Sequence, residues 1–304
     1  MTRWTCLGLA VVASLGLGFS HQALAGDWPA KRAQMAHPRP GEVLVIAHRA
    51  CWKETAENSL AAVRACSAMG VDGVEFDVRH TRDGVAVVMH DETVDRMTDG
   101  HGKVSDLTLA QVTALHLKQG RGGVGAPLTS ETVPTLVEYL EAAKGKLWLV
   151  FDVKDGTQEE SFATARVAGV QDQAIFFYEC RNDYLLNKIR PFWDQVVVFP
   201  IRFEADGPLS SALSDCPSHP ANLVHAKWSS PDYLAQASGD IAARQERVWI
   251  ATMFPEDIAG HADADAVGDP DAVWGKAIRE GANMIMTNEP AALLVYLKSP
   301  PKAR

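Results

Sequence analysis

From Val43 onward, eight short β-rich runs alternate with amphipathic stretches of helical period, and this alternation restricts the fold more than any other feature of the chain. The runs are Val43–Ala47, Gly73–Arg79, Lys146–Val153, Ala174–Tyr178, Gln195–Pro200, Asn222–Lys227, Arg247–Thr252 and Asn283–Thr287. Helical patterns between them include Glu57–Met69, Leu136–Lys144, Asp183–Arg190 and Pro270–Glu280. Asp269 and Pro270 open the last one with an N-cap and a first-turn proline, and Gly281 closes it. Eight strands alternating with helices predict a parallel sheet closed into a (β/α)8 TIM-type barrel. A doubly wound open sheet is the alternative topology.

One segment breaks the rhythm. Between His90 and Thr135 there is no clean βα unit, only a short helical pattern around Thr108–His116 and a glycine-rich loop at Gly120–Gly125. A stretch this long predicts a small inserted lobe after the second strand, about residues 91–134. The turn signal Asp83-Gly84 folds Val85–Met89 back beside that strand. The glycine loop lacks the Gly-Lys-Ser/Thr ending of a phosphate loop and reads as flexible.

Residues 1–25 read as a cleaved export signal, with Arg3, an apolar run from Cys6 to Gly18, and the cleavage site Ala23-Leu24-Ala25. The apolar run is short for a membrane span, and no cysteine stands at the cleavage site to carry a lipid. The expected product is one domain, 26–304, periplasmic or secreted and without stable membrane insertion. In an oxidising compartment Cys51, Cys66, Cys180 and Cys216 become disulfide candidates, with Cys180–Cys216 the favoured pair. A formal net charge of −9 argues against a broad basic face for nucleic acid, while leaving room for a small cationic pocket.

The chemistry gathers at strand ends. In Gly73–Arg79, Val74, Phe76 and Val78 share one face and Glu75 and Asp77 the other. Paired carboxylates repel unless a cation lies between them, and a hard divalent metal is the usual partner. The first strand ends in His48-Arg49, the third places Asp152 and Lys154 on one face, and the hairpin adds His90. Active sites of such barrels lie at the C-terminal strand ends, so these residues would meet at one mouth.

The blocks His48-Arg49, Ala56-Glu57-Asn58-Ser59, Val74-Glu75-Phe76-Asp77-Val78, Thr81-Arg82-Asp83-Gly84, His90-Asp91-Glu92-Thr93, Asp95-Arg96, Asp152-Val153-Lys154 and Thr287-Asn288-Glu289-Pro290 resemble the glycerophosphodiester phosphodiesterase family. The resemblance runs in order from about His48 to Pro290, with little signature between Thr157 and Asp240. It implies a barrel with an inserted lobe, one bound Ca²⁺ or Mg²⁺, and hydrolysis of small-molecule glycerophosphodiesters to an alcohol and glycerol 3-phosphate. No protein partner is implied. Departures are Ala50 for a glycine, Ala56 for a proline, Asp152 for a glutamate and Asn288 for an aspartate.

A phosphodiester needs charge neutralisation, a base and an acid. Glu75, Asp77 and Asp152 are the candidate metal ligands, and Arg49 and Lys154 the candidate phosphate binders. His48 and His90 are the candidate catalytic pair, His48 favoured as base and His90 as acid, with the reverse order and a cyclic-phosphate route both open. Glu57 and Asn58 read as starting the first helix and orienting neighbours. His37, His116, His219 and His225 read as structural or solvent-facing, and Trp228 and Trp249 as either lining the mouth or packing. Asp263, Asp265, Asp269 and Asp271 lack the remaining ligands of a calcium loop and read as a solvated loop. Two other functions fit the same barrel: a phospholipase D-like lyase on a lipid headgroup, and a non-catalytic periplasmic binding protein. A membrane-facing apolar loop would mark the first, and loss of a histidine or acid the second; the sequence offers neither.

Overall fold

The structure, a computed structural model, describes residues 27–299. The expected export signal lies outside the described residues, as does the Pro300-Pro301 tail. Among the described residues eleven strands follow in chain order: β1 Leu44–Ala47, β2 Gly73–His80, β3 Ala86–Val88, β4 His116–Lys118, β5 Leu128–Thr132, β6 Trp148–Val153, β7 Ala174–Glu179, β8 Val197–Phe203, β9 Leu223–Lys227, β10 Arg247–Ala251 and β11 Met284–Thr287. β1, β2 and β6 to β11 are parallel neighbours, and β1 pairs with both β11 and β2, which closes an eight-stranded barrel. The open-sheet alternative is excluded by that closure. β3 runs antiparallel to β2, with Val78 opposite Val88.

Alternation on each strand builds two apolar layers. Val74, Phe76 and Val78 face outward into the cluster shared with the helices. Phe76 meets Tyr139 of the helix Leu136–Ala143 and Phe151 of β6, each at 4.7 Å between ring centroids. Burying such a ring is worth roughly 1.5–3 kcal/mol, and here it fixes the strand that carries the two carboxylates. The inner layer holds Ile46, Val150, Ile175, Val197, Phe199 and Trp249. Its floor is closed by Trp28 and Met35, from and just after the helix Trp28–Gln34. The sequence pattern ahead of Val43 does not announce that helix.

The chain between β3 and the helix Leu136–Ala143 gathers around its own cluster, including Val94, Met97, Val104, Val112, Leu117 and Val133. It contains the β4–β5 pair and the helix Leu109–Thr113, which opens with a capping box between Thr108 and Gln111. The pattern expected to stay helical to His116 ends earlier, because His116 pairs with Thr132.

Three further expectations change. The helix expected from Glu57 starts at Leu60 and runs to Met69, because Ser59 takes the N-cap, which frees Glu57 and Asn58 for the barrel mouth. The expected helix Pro270–Glu280 begins as a π-helical turn, Asp271–Gly275, and becomes α-helical at Lys276–Arg279. Asp269 still accepts a backbone hydrogen bond from Ala272, and Gly281 still follows the helix with φ +119°. The four aspartates do not form a solvated loop. Asp263 is buried at the start of the helix Asp263–Gly268, Asp265 accepts from Ala262 N, and Asp271 binds Arg279 and Tyr296.

Disulfides join Cys51 to Cys66 and Cys180 to Cys216. Among the described residues no helix is long and apolar enough to cross a membrane.

Candidate active site

β2 and β6 pair in register, Asp77 beside Asp152, and this sets the geometry of the mouth. Carboxylate oxygens of Glu75, Asp77 and Asp152 all lie within 4.8 Å of one another. Lys154, one inward position beyond Asp152, puts its Nζ 3.0 Å from Asp77 Oδ1 and 2.5 Å from Asp152 Oδ2. Burial, then the charges of Asp77 and Asp152, push the Glu75 carboxyl well above its ordinary value. Burial, then Asp77, push Asp152 up as well. Asp77 moves down: burial opposes its charge, but Lys154 and Arg49 together outweigh it. Burial alone would lower Lys154, yet Asp77 and Asp152 raise it.

β1 delivers His48 to the same mouth through its backbone bond to Thr287. His48 Nδ1 stands 2.9 Å from Asn288 Oδ1 and Nε2 stands 3.8 Å from Glu75 Oε2. An amide oxygen only accepts, so Nδ1 holds the proton and Nε2 presents its lone pair. Burial, then Arg49, lower the imidazole to about 4, so the ring is neutral near pH 7. Asn288 is held in turn, its backbone N–H donating to Asp263 Oδ2 at 2.7 Å.

After His48 the chain turns through two left-handed residues, Arg49 at φ +54° and Ala50 at φ +62°. The turn points Arg49 N at Glu75 Oε2, 2.9 Å away, and swings its guanidinium onto Glu57 at 3.1 and 3.2 Å. Arg49 Nε lies 3.7 Å from Asp77 Oδ2. Asn58, also left-handed, donates from Nδ2 to Asp77 Oδ2 at 2.7 Å.

His90 follows β3. Its carbonyl accepts from Arg79 Nε at 2.9 Å, and its Nδ1 meets Asp91 Oδ1 at 2.6 Å. Asp91 is gripped by Arg96 at 2.6 and 2.9 Å, which holds its carboxyl far below the usual range. Arg96 Nη2 reaches Glu57 Oε1 at 2.6 Å. Glu57 is 1 % exposed and has Arg49, Arg96 and Arg121 around it.

Every candidate residue from the sequence therefore arrives at one place. His48, Arg49, Glu75, His90, Asp152 and Lys154 line a cavity of about 200 Å³, with Asp77 buried beneath. A larger cavity, about 600 Å³, lies at the barrel floor beside Trp28 and Arg247 and holds none of them. Asp91, Arg96, Asn288 and Asp263 were given no role from the sequence, although the first three stand inside the blocks that carry the resemblance. The glycine loop is not simply flexible. Gly120 bonds Thr55 and Glu57, and Gly123 bonds Arg96. Gly122, at φ +63°, comes so near Arg96 that a Cβ would lie 2.3 Å from its carbonyl oxygen. Trp249 lines the cavity, while Trp228 packs elsewhere, beside Ile258. His225 is buried and borders the cavity.

Residues 48–198 match the model of the glycerophosphoryl diester phosphodiesterase family. Residues 211–297 match a model described as a domain of unknown function. The chain is 32 % identical over 228 residues to glycerophosphodiester phosphodiesterase 1 of Bos taurus, covering 74 % of this chain and 60 % of that one. It is 41 % identical over 207 residues to the Homo sapiens protein of that name, covering 67 % of this chain and 58 % of the other. The match thus spans somewhat less than two thirds of these relatives. A glycerophosphoryl diester phosphodiesterase structure from Parabacteroides distasonis superposes with TM-score 0.68 at 21 % identity, covering 90 % of this chain and 93 % of that one. An Oleispira antarctica phosphodiesterase solved in complex with the product sn-glycerol-3-phosphate gives TM-score 0.61 at 22 % identity, covering 84 % and 97 %. At these identities the structural likeness speaks for the fold.

Proposed function

The chain belongs to the glycerophosphoryl diester phosphodiesterase family, and from that premise we propose that it is a phosphoric diester hydrolase releasing glycerol 3-phosphate and an alcohol from glycerophosphodiesters. One observation carries the reading. Glu75, Asp152, Arg49, Lys154 and the differently held His48 and His90 border one small cavity at the C-terminal end of the barrel, with Asp77 buried beneath it.

The donor set fits a hard divalent ion, Ca²⁺ or Mg²⁺. Glu75, Asp77 and Asp152 offer oxygens within 4.8 Å of one another, and two of the three are raised by burial and mutual repulsion. Asn58 Oδ1, buried beside Asp77, has no hydrogen-bond partner among the described residues. Bound there, the ion would neutralise phosphoryl charge and polarise the reacting oxygens.

The chain's own residues supply the rest. Arg49 and Lys154 add positive charge at the phosphate. His48, neutral and with Nε2 facing the cavity, serves as the base. His90, whose Nδ1 is engaged by Asp91, serves as the acid through Nε2, with the carboxylate balancing its charge. Export to the periplasm or medium belongs to the same proposal and is supported by the two disulfides. Phosphorus NMR of the products of glycerophosphocholine and glycerophosphoglycerol tests the reading. Glycerol 3-phosphate as the end product supports it, while an accumulating cyclic phosphate assigns the lyase reaction instead.

A further inference from the structure

The metal-binding candidates occupy one side of the barrel. β9 lies opposite β2, four strands away in either direction. It carries His225 and Lys227 on the face that lines the cavity. His225 is 3 % exposed, and neither ring nitrogen has a hydrogen-bond partner among the described residues. One face of the ring lies on Trp249, with centroids 4.2 Å apart and planes 15° from parallel. Stacking leaves the two nitrogens as the ring's polar edge. Burial, then Lys227, push the imidazole well below its ordinary value. A neutral ring offers one donor and one acceptor. Lys227 Nζ lies 3.1 Å from Asp257 Oδ2 on the same wall, which sets a second donor beside a second acceptor. Buried polar atoms seldom go unpaired, so a wall built this way calls for a ligand group that both donates and accepts.

We infer that the wall formed by His225 and the Lys227–Asp257 pair is a hydroxyl-binding subsite, selecting phosphodiesters whose alcohol is a compact polyol over those ending in an ammonium group. A hydroxyl donates and accepts at one atom and so satisfies either half of each pair. A quaternary ammonium does neither and an amine cation only donates, so neither meets both halves of the wall. The cavity of about 200 Å³ lies below the usual span of roughly 300–1,000 Å³ for small-molecule sites, which favours a compact head over an acyl chain. The inference rests on the phosphodiesterase reading and names the substrate class within it.

Rates on glycerophosphoglycerol and glycerophosphoinositol, compared with glycerophosphocholine and glycerophosphoethanolamine, test it. The polyol diesters should show kcat/KM about tenfold higher or more, the equivalent of one well-made hydrogen bond to a buried group. H225F should collapse that ratio mainly through KM, while H225Q, which keeps a donor and an acceptor, should retain most of it. Turnover of bis(p-nitrophenyl) phosphate by each variant reports an intact centre, and K227M carries the same test should H225F fail to fold. Equal kcat/KM for polyol and ammonium diesters, with all turned over, overturns the subsite and leaves the phosphodiesterase standing. No hydrolysis of any diester by the wild-type protein overturns both.

Discussion

Arg96 Nη2 lies 2.6 Å from Glu57 Oε1, and through this contact the inserted segment is tied to the barrel mouth. The tie continues on both sides. Glu57 holds Arg49, Arg96 holds Asp91, and Asp91 holds His90. A residue three positions ahead of the helix Leu60–Met69 thus helps to place a histidine that arrives from another part of the chain.

Glu57→Gln should therefore damage both stability and turnover. It takes from Arg49, itself buried, the carboxylate it meets at 3.1 Å and leaves it only Asp77 at 3.7 Å. Breaking a buried ion pair costs ~3–5 kcal/mol. Urea denaturation should show a loss in that range, and kcat should fall because His90 loses its chain of support. Native stability and turnover in the variant would contradict the supporting role given to Glu57.

The turn at Ala50 gives a second expectation. Its φ of +62° is a conformation that glycine adopts freely and alanine does not, which explains why glycine is usual here in the resembled family. Ala50→Gly should change stability by less than ~1 kcal/mol, since backbone relief offsets the loss of a buried methyl. Ala50→Val should cost more than ~2 kcal/mol, because a β-branched side chain tolerates this region badly. Thermal unfolding of the two variants separates these outcomes.

The barrel strands were legible because each is a short β-rich run bounded by helix or turn signals, and β2 declared its inner face through Glu75 and Asp77. His48, His90, Asp152 and Lys154 were legible because they close strands. What escaped was whatever depends on distance in three dimensions. Nothing near Asp263 in the sequence indicates that it bonds Thr252, Thr287 and the backbone of Asn288. His225 reads as structural or solvent-facing until Trp249 is seen against its ring at the cavity wall. The glycine loop reads as slack because the contacts that pin it belong to Thr55, Glu57 and Arg96.

Metal binding should follow the acidic cluster. Glu75→Gln removes a charge and a donor, so calorimetric titration of stripped protein with Ca²⁺ or Mg²⁺ should lose its tight phase. Asp152→Asn should weaken binding, and Asp152→Glu should be tolerated. Unchanged affinity in the Glu75 variant would place the ion elsewhere.

The pH dependence follows from His48. Its folded value of about 4 lies below the ordinary 6.5, so the neutral, base-competent ring persists as pH falls from 6.5 towards 4. The acid limb of kcat should accordingly lie well below 6.5. In the same window the unfolded chain binds the extra proton, so His48 contributes a loss of stability as pH falls from 6.5 towards about 4. Asn288→Asp places a carboxylate beside Nδ1 and should move the acid limb upward. A limb unmoved in the Asn288 variant would separate it from His48.

The most direct test of the account is a comparison of His48→Ala and His90→Ala on a natural glycerophosphodiester and on a diester with a p-nitrophenolate leaving group. Each variant should lose on the order of 10²–10⁴ in kcat on the natural substrate. The activated leaving group needs little protonation, so it should restore much of the rate to His90→Ala and little to His48→Ala. Rescue of His48→Ala instead would reverse the two roles, and near-native turnover of the natural diester by both variants would contradict the paired-histidine mechanism itself.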